Sequence, residues 1–256
     1  MSTPIASPDT TPSDQLTVTH DSQPLSMASL TTLIEKLGDV LPPSTEIILH
    51  DFADIDATVV AVGGALTDRV KGDPPTDLLL AHFAAGATED LREYVSHLPD
   101  GRIVNSSTLI LRAPDGSPVG ALCLNHDVSL WRRVRDIANL ALKDDPSTIA
   151  TARGSTPTTE TPAEEPMSRS SVEHFPRSID ELAQLLISRA IAEVGVAPEL
   201  MRKHHKVRVV ATLEAQGMFM LRDSVETVGK ALGVTRFTIY NYLSELEPKS
   251  TATEPG

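Results

Sequence analysis

The chain has one cysteine, Cys123, in 256 residues. It can form neither an internal disulfide nor a multi-cysteine metal site, and a reducing compartment fits. No run of about 18 apolar residues occurs, which excludes a membrane-spanning helix. The N-terminal stretch is rich in Ser, Thr and Pro and has no apolar h-region, so it does not read as a secretory signal. There is no Walker-type phosphate loop and no HExxH zinc pattern. Cys123 and His126, three apart on a strand, face opposite sides and make a poor nucleophile and base. These absences point away from an enzyme, call for no cofactor and suggest a cytoplasmic protein.

Basic residues are also scarce, with 22 Lys and Arg against 35 Asp and Glu. A net charge of −13 is unexpected for a protein that binds nucleic acid, but the deficit is not uniform. Residues 1–172 hold 12 Lys/Arg and 24 Asp/Glu, whereas residues 200–249 hold 8 and 5. An acidic front and a mildly basic back are compatible with a separate nucleic-acid module.

The length predicts about two domains. Residues 1–26 lack hydrophobic patterning and read as a disordered tail, as do residues 248–256. Over 27–143 the pattern predicts an α+β domain: one antiparallel sheet with helices on one face. Leu30, Leu33, Ile34, Leu37 and Leu41 form an apolar helix stripe that Pro42-Pro43 stops. Strands follow at 46–50 and 58–62, then a helix 77–85 capped by Thr76. Three strands at about 93–98, 102–112 and 119–126 are divided by Asp-Gly turns. A helix over about 130–142 closes the domain. Phe52, Cys123 and Trp131 read as core residues. Residues 144–172, rich in Pro, Ser and Thr, read as a flexible linker. From 173 to 247 the helical period returns. Ile179, Leu182, Leu186, Ala190 and Ile191 make a stripe ended by Gly195, and Pro198 is expected to open a helix that ends near Gly217.

The strongest local signal is SVETVGKALGVTRFTIYNYLSEL over 224–246. Two short helices that cross closely need a small residue at the crossing, which Gly229 supplies. Their turn needs a residue tolerant of positive φ, which Gly233 supplies. Thr235 can cap the second helix. Arg236, Phe237, Thr238, Tyr240 and Asn241 then lie on or near its exposed side, where a major groove would meet them. Arg can pair with guanine and Asn with adenine. Lys203 and Lys206, in the basic run 202–208, are expected on the preceding helix and suit phosphate contacts. A helical hairpin used only for packing is the other reading of this segment.

Longer stretches carry a family resemblance. They are EIILHDF at 46–52, DRVKGDPPTD at 68–77, GRIVNSSTLILRAPDG at 101–116, GALCLNHDVS at 120–129, AIAEVG at 190–195 and VGKALGVTRFTIYNYL at 228–243. The front resembles the YheO-like PAS family. The back resembles the helix-turn-helix domain of DauR-type bacterial transcriptional regulators. The resemblance implies a PAS-like sensor, an unidentified small-molecule signal and control of transcription.

Within the matching stretches, His50, Arg69, Asp77, Ser106, Ser107 and Asn125 are the expected polar groups of a ligand pocket. Arg69 suits a carboxylate through its planar fork. The expected partners are DNA, a small effector and a second copy of the chain, with 179–191 and 30–41 as the apolar stripes for that contact. A sensor whose helical tail binds a protein is the alternative.

Overall fold

The computed structural model describes residues 26–87, 89–142 and 173–246. The expected linker and both tails, Ser26 apart, lie outside the described residues.

The front half runs α1 (Met27–Gly38), β1 (Thr45–Asp51), β2 (Val59–Gly63), α2 (Asp77–Ala84), β3 (Leu91–His97), β4 (Ile103–Arg112), β5 (Pro118–Asp127) and α3 (Ser129–Leu142). The strands form one antiparallel sheet in the order β2-β1-β5-β4-β3. Thr76 caps α2 as its sequence suggests, accepting from the Leu79 N–H at 3.1 Å. The helices do not share one face. α1 packs Ile34 and Leu30 against Leu49, Ala61 and Leu122. α2 packs Leu79 against Ile48, Val59, Ile110 and Cys123 on the other face. Alternate side chains of a strand point to opposite faces, so apolar groups on both faces of β1 demand a cover on each.

The rear half is helical: α4 (Ile179–Val194), a 3-10 turn at Pro198–Leu200, α5 (Lys203–Ala215), a 3-10 turn at Met218–Met220, α6 (Ser224–Leu232) and α7 (Arg236–Leu246). Ser178 caps α4 by accepting from the Glu181 N–H at 3.1 Å, and Gly195 ends it with φ of 71°. Pro198 opens only its own 3-10 turn. Met201 and Arg202 are extended, so the next helix starts at Lys203. Leu182, Leu186, Val209, Val210, Leu213, Val228, Leu232 and Ile239 are fully buried together. The α4 stripe is thereby used within the chain, which removes it as a subunit contact.

The two halves pack on each other. Leu80 of α2 is buried in the same cluster as Leu186 and Leu213. Phe175 packs against Leu66, Leu98 and Val104 of the sheet domain. Three acidic residues of the front meet basic residues of the rear. Asp77 pairs with Arg189, Asp73 with Arg177 at 3.0 Å, and Asp56 with Arg222 at 3.2 Å. Trp131, expected in a core, is 66% exposed. It lies on α3 with exposed Leu130, Val134, Ile137 and Leu140, and the neighbouring arginines do not bury them.

Candidate functional site: a helix-turn-helix face and a polar sheet interior

α6 and α7 cross at Gly229. A Cβ there would stand 3.0 Å from the Val234 carbonyl oxygen, so a larger side chain would push the pair apart. Gly233 adopts φ of 62°, the left-handed turn that L side chains resist. The Thr235 hydroxyl accepts from the Thr238 N–H at 3.3 Å and lies 3.0 Å from the Thr238 hydroxyl. These two threonines therefore cap α7. Ile239 and Tyr242 anchor its inner side. The outer side presents Arg236, Phe237, Tyr240 and Asn241. Phe237 is 67% exposed and Tyr240 54%, a large apolar surface to leave in water. The Arg236 guanidinium sits over the Phe237 ring at 5.2 Å. Positions i, i+1, i+4 and i+5 share one helix face, which gives one contiguous exposed surface.

The two lysines of α5 are engaged within the domain. Lys203 pairs with Glu245 of α7 at 2.6 Å. Lys206 donates to the Leu232 carbonyl oxygen at 2.6 Å, at the C-terminal end of α6. There it caps a carbonyl and complements the helix dipole. Both tie α5 to the α6–α7 pair, a positioning role that their charge alone does not reveal.

In the sheet domain, the face under α2 carries a row of polar side chains. Strand register aligns Glu46, Asn125, Ser106 and Tyr94 across β1, β5, β4 and β3. The Ser106 hydroxyl donates to Asn125 Oδ1 at 2.9 Å, and Asn125 Nδ2 donates to Glu46 Oε1 at 3.3 Å. Glu46 also accepts from the Leu66 and Thr67 N–H groups at 2.9 and 3.0 Å, and from the Thr67 hydroxyl at 2.6 Å. Its carboxylate therefore has a full set of donors. The neighbouring row links Tyr94, Thr108 and Cys123, with the Thr108 hydroxyl 3.0 Å from the Tyr94 oxygen and 3.3 Å from Cys123 Sγ.

His50 is buried with Nδ1 2.8 Å from the Thr58 hydroxyl. Burial, and then the charge of Arg69, hold its pKa well below the ordinary 6.5, so it is a neutral imidazole. Arg69 is 4% exposed. Its Nη2 donates to the Pro74 carbonyl. Nε and Nη1 are buried and make no hydrogen bond. Asp73 stands 3.9 Å from Nε, too far to satisfy it, because its Oδ2 accepts from the Val70 N–H and Arg177. An unsatisfied buried charged donor is expensive, and burial lowers the Arg69 pKa accordingly.

Two sequence-derived pocket residues are placed elsewhere. Ser107 follows Ser106 on a strand, so the two cannot share a face. Its hydroxyl accepts from the Glu93 N–H at 3.1 Å. Asp77 is buried but turned toward the helical half, where it accepts from the His174 N–H at 2.8 Å and from Arg189. Glu46, Asp73 and Tyr94 join the polar interior without having been singled out in sequence. Glu46 was detectable: it is the one charged residue on an inward position of an apolar strand. Cys123 is buried, and burial pushes its thiol up to about 12. His126 bonds instead to Thr45, 3.0 Å away. The native chain should therefore resist thiol reagents at pH 8 and react fully once unfolded in urea. Labelling of the folded protein within minutes would contradict that burial.

Residues 20–142 match the family model described as a YheO-like PAS domain, and residues 182–244 match one described as an HTH domain. Among curated relatives, YheO of Escherichia coli strain K12 is 23% identical over 225 residues, covering 86% of this chain and 85% of that protein. The transcriptional regulator DauR of Pseudomonas aeruginosa is 23% identical over 228 residues, covering 88% and 97%. A protein of Haemophilus influenzae is 23% identical over 236 residues, covering 91% and 96%. Among solved structures, a phage VqmA–DPO complex aligns over 85% of this chain and 87% of that one, with 10% identity and a TM-score of 0.28. That overlap is too loose to carry an argument.

Proposed function

We propose that this chain, which carries a YheO-like PAS domain followed by a helix-turn-helix domain, is a DNA-binding transcriptional regulator that answers to a small anionic molecule. The DNA-binding part rests on the outer face of α7, where Arg236, Phe237, Tyr240 and Asn241 stand exposed on a rigid, capped helix. Arg and Asn can make bidentate pairs with guanine and adenine, and the aromatic rings suit thymine methyl groups.

The sensing part is carried by Arg69. Two of its guanidinium nitrogens are buried without partners, beside a network whose other members satisfy one another. A ligand carboxylate would supply the missing acceptors in bidentate geometry. Ser106, Asn125 and His50 line the same sheet face and set the shape and polarity around it.

The test of the DNA reading is selection of a binding site from random duplexes, followed by titration of Arg236→Ala on the selected site and a mismatched control. The substitution should cost about 1–3 kcal/mol on the selected site and relax the preference at one base pair. Arg236 is exposed, so the fold should survive the change. Unchanged affinity for both duplexes would remove α7 from the interface.

A further inference from the structure

The chain meets the sheet domain again at Glu173, the first described residue after 142. By position Glu173 belongs to the helical half, yet it is 5% exposed. Ser96 on β3 donates its hydroxyl proton to Glu173 Oε2. Thr76, at the start of α2, adds a second side-chain polar group that favours the ionised carboxyl. Arg69, Asp77, Tyr94 and Cys123 lie within electrostatic reach of the carboxyl. Burial pushes its pKa up to about 7, so near neutrality the seat holds a group poised between acid and carboxylate.

The residues after Glu173 join the halves. The His174 N–H donates to Asp77 at 2.8 Å, Phe175 packs on Leu66 and Leu98, and Arg177 pairs with Asp73 at 3.0 Å. Asp73 is also the acid nearest Arg69 Nε. Glu173 further lines a cavity of about 360 Å³ with His97, Pro99, Phe175, Glu181 and Leu185.

We propose that Glu173 is a built-in competitor of the effector: it fills a carboxylate seat in the sensor interior, and a small carboxylate that pairs with Arg69 displaces it and loosens the helical half. The proposal rests on the reading of Arg69 as the effector's anchor. Its physical basis is that the seat holds one side chain at a time: ionised Glu173 is buried there without reaching the free nitrogens of Arg69, so it gives way, more readily than a neutral side chain would, to a carboxylate that does reach them. Displacement changes the docking of residues 173–177, so the effector distinguishes a docked from a loosened state, which coupling requires.

The probe is sodium acetate, which matches the end of the Glu173 side chain, with sodium chloride at equal ionic strength as control. Full-length wild type, Glu173→Ala, Glu173→Gln and Arg69→Lys are compared by calorimetry, and docking is read by amide exchange over 173–177. Glu173→Ala should bind acetate more than tenfold tighter than wild type at pH 7, because its seat is empty. Glu173→Gln keeps an uncharged group in the seat and should bind acetate more weakly than wild type at pH 8. Acetate, and not chloride, should speed exchange over 173–177 in wild type. Arg69→Lys should weaken acetate binding throughout. Equal affinity in wild type, Glu173→Ala and Glu173→Gln, still lost in Arg69→Lys, overturns the competition and leaves Arg69 as the anchor. Acetate binding that ignores Arg69, or is absent from every chain, overturns both. If Glu173→Ala does not fold, the opposite shift expected for Glu173→Gln decides the outcome.

Discussion

A Glu173→Gln chain should be more stable than wild type at pH 8 by up to about 3 kcal/mol, and the two should converge near pH 4.5. The ordinary glutamate pKa is 4.5, and burial raises that of Glu173 to about 7. A carboxyl whose folded pKa is raised favours the folded form fully below pH 4.5. That contribution is lost as pH rises from 4.5 through about 7, and the loss is complete above it. A tenfold difference in proton affinity between the folded and unfolded chain is worth about 1.4 kcal/mol, which sets the size of the effect. Glutamine keeps much of the shape and can accept from Ser96, but it carries no proton that pH can remove. Other groups titrate in the same window. His50, with its depressed pKa, costs stability as pH falls below 6.5. The difference between the two chains cancels that contribution. Urea unfolding at pH 5, 6, 7 and 8 gives the comparison. A difference that stays flat with pH would mean that Glu173 is solvated in solution and that the rear half does not seat through it.

The order of elements was legible because each half follows its period closely. Strands at 46–50 and 58–62, the Thr76 cap and the glycine pair of α6 and α7 were all marked by local chemistry. The faces of the sheet were less legible. Placing both Ser106 and Ser107 in a pocket ignores strand alternation, and the structure turns Ser107 away. Asp77 was identified by its place in a motif, but its partners Arg189 and His174 lie about a hundred residues onward, where no local pattern could reveal them. Glu173 shows the same limit more sharply. In sequence it is an ordinary acidic residue at the end of a polar stretch; only the return of the chain onto β3 makes it buried. Trp131 failed as a core residue for a different reason. Its hydrophobicity calls for a cover, but among the described residues none lies over it, which points to a second molecule.

Replacing Ile137 with Glu should convert a dimer into a monomer and weaken DNA binding by about 100-fold or more. On α3, Leu130, Val134, Ile137 and Ala141 fall at intervals of four, three and four, the spacing of a seam between two helices. Leu130, Trp131 and Ile137 are each about two-thirds exposed and Val134 about half. Val95, Leu109 and Leu124 are also exposed on strands of the adjoining sheet. A row of exposed apolar side chains along one helix, as on α3, is uncommon on a monomer. The stripe on α4 is covered within the chain and that on α1 largely so, Leu33 apart, which leaves α3 as the strongest remaining contact among the described residues. One helix-turn-helix reads a few base pairs, whereas two held together read two half-sites, and the second contact then forms at a high effective concentration. Losing the dimer therefore removes far more affinity than any single base contact. Because Ile137 is exposed, the substitution should leave the melting of an isolated subunit nearly unchanged. Light scattering at micromolar concentration reports the assembly state, and titration on a two-half-site duplex reports affinity. A monomeric wild type would remove the subunit contact altogether, and a dimer untouched by the charge on α3 would place it elsewhere. A monomeric variant that still binds the duplex as tightly as wild type would show instead that one copy suffices to read the site.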